Sequence, residues 1–256
     1  MSSEKLAFAI AIAVFAGGSI GLILQRVLPE RHTTGGPRDM IGAVVGLLTL
    51  LSALVLGLLI WTAYGVYAGQ NTAIQTLAAR VLQFDLALAD YGPDANPIRL
   101  ALRDGVGKSI DEIWSADDTD ANFVANNFAA ALRNLRLREA ALNALHPTNV
   151  AQTQALAEAK AAGDAMGQAR LQMSFALSAP ISYPLVLTVV VWTFFLFLGY
   201  GLMSKGSVTA VLGVLTGAAA IASAFYLIIE LSSPYSGLFQ TSPAPLEQVL
   251  AVMGKE

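Results

Sequence analysis

The chain has 256 residues, 55% of them hydrophobic and 13% charged, with a mean hydropathy of +0.59, whereas a soluble domain carries about 25% charged residues. That is membrane-protein composition, and a net charge of −3 leaves no basic surplus for nucleic acid. The absence of cysteine excludes disulfides and thiolate chemistry, and two histidines, His32 and His146, are too few for a histidine-rich metal site.

The first predicted element is Leu6–Leu24, 19 residues without a charge. It resembles a signal peptide in following Lys5. However, an h-region is about 7–15 residues long and a polar segment with a small-x-small cleavage site should follow. None does, so the run is read as a first transmembrane helix. Gln25–Asp39 is a turn-rich loop holding Pro29, Gly35, Gly36 and Pro37.

The next stretch organises the chain. Met40–Ala79 is 40 residues without Asp, Glu, Lys or Arg. As helix it is roughly 60 Å long at about 1.5 Å per residue, twice a bilayer core of roughly 30 Å. It therefore crosses the membrane and continues beyond it. Trp61, Tyr64 and Tyr67 suit the interfacial belt, and Gln70, Asn71, Thr72 and Gln75 follow. Beyond them Leu77, Val81, Phe84 and Leu88 make an amphipathic stripe, which Gly92-Pro93 stops.

A helical insert comes next. Asn96-Pro97 predicts a helix start with Asn as the N-cap and a stripe of Ile98, Leu102, Val106, Ile110 and Ile113. After the acidic loop SADDTD, Thr119 or Asp120 caps a third soluble helix with Val124, Phe128, Leu132 and Leu135 on one side. His146-Pro147 breaks it, and Thr148 caps an Ala-rich fourth. A third span follows Pro180 and Pro184. Ser204–Ser207 is a tight loop, a fourth span runs to Glu230, and a Pro-rich tail ends in a short helix. The expected fold is all-α. It has spans 1 and 2 in residues 1–69, a helical soluble domain in 70–178, spans 3 and 4 in 179–230, and a C-terminal tail in 231–256. The loop arginines and Lys205 favour cytoplasmic short loops, although Glu4 and Lys5 balance each other on the competing side.

Several strings imitate catalytic signatures. Gly17-Gly18-Ser19-Ile20-Gly21 matches G-x-S-x-G but lies inside a span, where a strand-turn-helix elbow is impossible. Gly107-Lys108-Ser109 lacks the first P-loop glycine, replaced by Leu102, and has no strand before it. Asp118, Asp120 and Asn122 begin like an EF-hand, but Phe123 and Ala129 occupy the glycine and closing glutamate positions. The cluster Asp117, Asp118 and Asp120 is then a solvated helix start or a loose divalent-ion site. No catalytic residue, metal set or cofactor site is assigned.

Other features bear on assembly and transport. Gly17/Gly21, Gly42/Gly46, Gly65/Gly69 and Gly213/Gly217 are spaced by four, which lets helix backbones approach closely in lipid. The competing reading is ordinary glycine enrichment of membrane helices. Thr49 and Ser52 share a face with Gly42, Val45 and Leu56. That face supplies a mild polar step for a pore with an apolar constriction, unless both hydroxyls bond their own helix carbonyls. Glu230, beside a span, is either functional or interfacial.

The tail carries a more specific pattern. Ile229–Leu238, with Thr241-Ser242-Pro243-Ala244-Pro245-Leu246, resembles the end of the bestrophin-like family of bacterial multi-pass membrane proteins. Glu230, Pro234, Tyr235 and Gly237 are the matching residues. Ser232 stands where members carry an acidic residue, so no ion-binding role is transferred there. The layout of two spans, helical insert and two further spans is also similar. The resemblance implies a homo-oligomeric ring such as a pentamer, in the bacterial inner membrane, with an anion-conducting pore along the second helix. The alternatives are a membrane-anchored scaffold or sensor whose helical domain binds a partner, and, with little to support it, an intramembrane enzyme.

Overall fold

The computed structural model describes residues 3–29, 34–114, 123–177, 183–204, 206–232, 235 and 237–253. The acidic loop 115–122, with its expected cap and the candidate ion-binding aspartates, lies outside them, as do His32, Pro180, Lys205 and Pro234. The described chain is all-helical: α1 (Ser3–Val27), α2 (Gly36–Tyr91), a 3₁₀ turn (Pro93–Ala95), α3 (Asn96–Trp114), α4 (Phe123–Asn143), α5 (Val150–Leu177), α6 (Tyr183–Met203), α7 (Val208–Leu231) and α8 (Ala244–Val252). Four helices, α1, α2, α6 and α7, are long and apolar enough to cross a membrane. The 56-residue α2 is the long continuous second helix that the uncharged run predicted.

The chain divides into two compact units, Met1–Gly65 with Pro180–Ser232, and Val66–Ala179 with Ser233–Glu256. In the first, α1 packs against both α6 and α7, while α6 and α7 scarcely meet. Glycines make the central seam. A Cβ at Gly17 would come within 2.6 Å of the Phe194 carbonyl oxygen, and one at Gly21 would run into the Leu198 carbonyl. From the other side, a Cβ at Gly201 would strike the Gly18 carbonyl, and one at Gly217 of α7 would lie 2.6 Å from the Phe197 ring. Leu against Leu gains little over Leu against lipid tails, so dispersion across closely approached backbones has to hold spans together. Gly42 meets the Met203 methyl, whereas Gly46, Gly65, Gly69 and Gly213 face open space in the protomer. Gly18 and Gly201 belong to the seam although they carry no four-residue repeat with each other, and Gly199 faces Val45 of α2 instead.

The second unit buries large side chains in two cores. Phe84, Leu88 and Tyr91 from the end of α2 form one core with Leu142 of α4 and Ala155 and Ala159 of α5. Ile74, Leu77 and Val81 form another with Val106 and Ile113 of α3, Met173 of α5 and Leu246 and Val249 of α8. Burying each large side chain contributes about 1.5–3 kcal/mol.

Two helix starts differ from expectation. Asn96 is already helical (φ −56°, ψ −40°), and its N–H donates to the Pro93 carbonyl. Gly92, at φ 105°, reverses the chain and the 3₁₀ turn leads straight into α3, so Asn96 is not a cap. At α5 the cap is Asn149, whose Oδ1 accepts from the Gln152 N–H at 2.8 Å. Thr148 instead donates its N–H and hydroxyl to Gln152 Oε1, each at 2.9 Å. Asn and Thr are both good caps, and one residue of helix register decides between them.

Candidate functional site

The bilayer part of α2 is the least covered of the four spans. Only 17% of its most apolar window is buried in the protomer, against 33% for α1 and α6 and 22% for α7. Its buried face carries Val45, Ser52, Leu59 and Ala63, spaced close to the helical repeat. Val45 fills the notch left by Gly199 on α6. Thr49 donates to the Val45 carbonyl at 2.8 Å and lies 3.3 Å from the Tyr200 hydroxyl of α6. Ser52 is 5% exposed, and its hydroxyl has no hydrogen-bond partner among the described residues. Leu56 is half-buried. Thr49, Ser52 and Leu56 therefore share the side of α2 turned toward the protomer's own helices. The opposite side, Leu47, Leu50, Leu54, Leu58 and Trp61, is exposed, with Leu50 and Leu54 near 70%. It is a continuous apolar stripe.

Glu230 is buried at 3% exposure in the last turn of α7, with the Tyr226 hydroxyl one turn earlier in hydrogen-bonding reach. Charge in a span is expensive unless partnered, and this neighbour lowers the cost. At the loop end of the first unit, Arg26 donates to the Gly206 carbonyl and Arg38 to the Met203 carbonyl, both at 3.4 Å. Arg38 thus meets an orphan carbonyl at the C-terminus of α6, where a cation also suits the helix dipole.

The tail residues have defined work in the second unit. Tyr235 is buried, and its hydroxyl donates to Gln70 Oε1 at 2.8 Å. Gln70, 1% exposed, passes the chain of bonds on by donating to the Met173 carbonyl at 3.4 Å. Trp114 stands edge-to-face on Tyr235 at 5.6 Å and donates its indole N–H to the Thr241 carbonyl at 2.6 Å. Burial pushes the Tyr235 phenol well above its ordinary range against a smaller opposing pull from Arg170, so it stays a donor. Gly237 has φ 80°, a conformation that side chains resist, which accounts for a glycine at that point. In the sequence Gln70 is one of several polar residues after the aromatic belt and Trp114 stands just before the acidic loop. Neither position signals a partner, and only the fold reveals it.

The Bestrophin-like domain profile matches residues 12–246. The chain belongs to the bestrophin-like family. Its fold is similar to that of a crystal structure of a bacterial bestrophin homologue from Klebsiella pneumoniae, in a point-mutant form. The TM-score is 0.63 at 14% identity, over 98% of this chain and 96% of that one. No curated protein matches the chain. A family member with four apolar helices of spanning length is an integral membrane protein, and Tyr235 and Gly237 of the tail motif sit in the buried network and the turn described above.

Proposed function

We propose that the chain is the subunit of a homo-oligomeric anion channel of bestrophin type in a bacterial inner membrane, with α2 supplying the pore wall. The observation that carries this reading, beyond family membership, is the bare side of α2. A span whose most apolar window is only 17% buried by its own chain needs lipid or other copies around it. Lipid touches all four spans, so the excess on α2 supports contact with further copies about an axis.

Two faces of α2 are candidates for the wall. The Thr49, Ser52 and Leu56 face offers a polar step, but it packs toward α6, so lining a path requires α6 to share that path or to move. The stripe of Leu47, Leu50, Leu54 and Leu58 needs no rearrangement and would form apolar rings, a constriction of the kind that gates by dewetting. Its exposure favours it. Single cysteines at Ser52 and Leu54, in a chain that has none of its own, separate the two. Modification that blocks flux at Leu54 and not at Ser52 selects the stripe.

The channel reading itself is tested by reconstitution. Purified protein in liposomes should pass chloride, and in mild detergent its mass should be a multiple of 26.8 kDa. A monomer with no anion flux would sink the proposal.

A further inference from the structure

Inside the second unit lies a cavity of about 390 Å³ walled by α2, α3, α4, α5 and α8. Its volume falls in the range that holds small molecules, roughly 300–1,000 Å³. Leu77, Val81, Phe84, Leu102 and Met166 make it mostly apolar, yet Arg138 and Arg170 both border it.

Arg138 is seated deliberately. A Cβ at Gly163 would come within 3.2 Å of its Nε, and one at Gly167 within 2.8 Å of its Nη2. The guanidinium thus lies across a glycine notch on α5 and over the Phe84 ring, 5.9 Å from the centroid. Phe84 lends it a cation–π contact, which orients the plane without neutralising the charge. Burial is the largest influence on both guanidinium groups and pulls them below their ordinary range. Asp164 and Glu139 oppose it at Arg138, and Tyr235 and Glu112 oppose it at Arg170. Arginine does not give up its proton in proteins, so two cations border an apolar hollow, with Arg170 also donating to Met173 Sδ at 3.9 Å.

We propose that this cavity is a binding site for a small organic anion with a compact apolar body, its carboxylate held by Arg138 and Arg170 and its body against Phe84, Leu102 and Met166. The planar guanidinium fork matches a carboxylate bidentately. The apolar walls exclude a bare hydrated ion and favour a ligand that brings its own hydrophobic surface. This site is independent of the channel reading, because occupancy is measured as binding and not as flux.

The test uses the full chain in lipid nanodiscs, with 2-naphthoate as probe and titration calorimetry as readout. Its neutral isostere 2-naphthamide and its cationic isostere 2-naphthylmethylammonium are the controls. Saturable binding of the acid is expected, with the amide weaker by about tenfold or more, the size of a charge-assisted hydrogen bond. Arg138→Gln and Arg170→Gln should each weaken the acid by a similar factor. Ala101 is exposed yet lines the same cavity, so Ala101→Trp fills the site from its rim with both arginines intact and should abolish binding. Equal affinity for all three isosteres, retained binding in Ala101→Trp, or no saturable binding of the acid to the unmodified chain overturns the proposal. If an arginine variant fails to fold, the isostere series and Ala101→Trp still decide it.

Discussion

The two units solve the same packing problem with different residues. In the membrane unit the decisive contacts are glycine against backbone: Gly17 and Gly21 against α6, and Gly201 back against α1. The buried Thr193 hydroxyl there is satisfied locally, by the Val189 and Val190 carbonyls of its own helix at 3.0 and 2.9 Å. In the helical unit large side chains fill the cores and polar groups pair across elements, Tyr235 with Gln70 and Asp85 with Arg99. Water expels apolar surface and so rewards bulk. Lipid does not, so only close approach is rewarded there. The same residue change should therefore have different consequences in the two places.

The sharpest test is Gly21→Leu. Its first side-chain carbon collides with the Leu198 carbonyl, which is backbone and cannot turn aside. Overpacking costs about 1–3 kcal/mol, occasionally more, and a backbone obstacle puts this variant at the upper end or beyond, read as loss of folded protein in detergent. Gly46→Leu is the matched control. Nothing lies within 4 Å of a Cβ there, so protomer stability should hold, and a changed complex mass would mark contact between copies.

Next in size is Asp85→Asn. Arg99 grips Asp85 with bonds of 2.9 and 3.0 Å, and the Asp85 side chain is 5% exposed. Removing one partner of a buried pair costs about 3–5 kcal/mol. Arg99, 18% exposed, can regain some solvent, which points to the lower figure. Chemical denaturation measures it, and replacing both partners with apolar residues should restore most of the loss.

Tyr235→Phe should cost about 1–3 kcal/mol, because Gln70 Oε1 is left buried without its donor. It should also change the response to alkali. The folded phenol titrates above its ordinary value of 10.0. Below that pH both states keep the proton and the contribution is complete. Above it the unfolded chain releases the proton first, so stability falls as pH rises. Denaturation midpoints of the parent should therefore drop more steeply above pH 10 than those of the Phe variant. The smallest effect belongs to Ser52→Ala, which removes a buried hydroxyl without a described partner. Relieving an unsatisfied polar group is neutral to slightly stabilising, within about 1 kcal/mol.

The spans were legible because charge-free runs of 19, 40 and 34 residues admit few other structures in a chain of this composition. The stripe from Leu77 to Leu88 foretold a core for the same reason, since polar neighbours marked its other side. The orientation of α2 within the membrane was not legible. Apolar on every side, it gives no period from which to tell an inward face from an outward one. Thr49 and Ser52 are its only hydroxyls near the centre of the span; Thr49 meets Tyr200 of α6, and Ser52 is buried. The tail motif was recognisable before its physics was. Tyr235 and Gly237 stood out as a pattern, and the reasons, a partner 165 positions away at Gln70 and a left-handed backbone, belong to the folded chain. The cavity bordered by Arg138 and Arg170 leaves no sequence signal either, because arginines on amphipathic helices usually mark a solvated face.

Where Gly21 and Gly201 meet, neither position has a neutral neighbour in sequence space. Even alanine on one side presses a methyl into the main chain opposite, and a compensating change is unavailable because glycine has nothing left to give up. The crossing can be abandoned only by moving two whole helices apart.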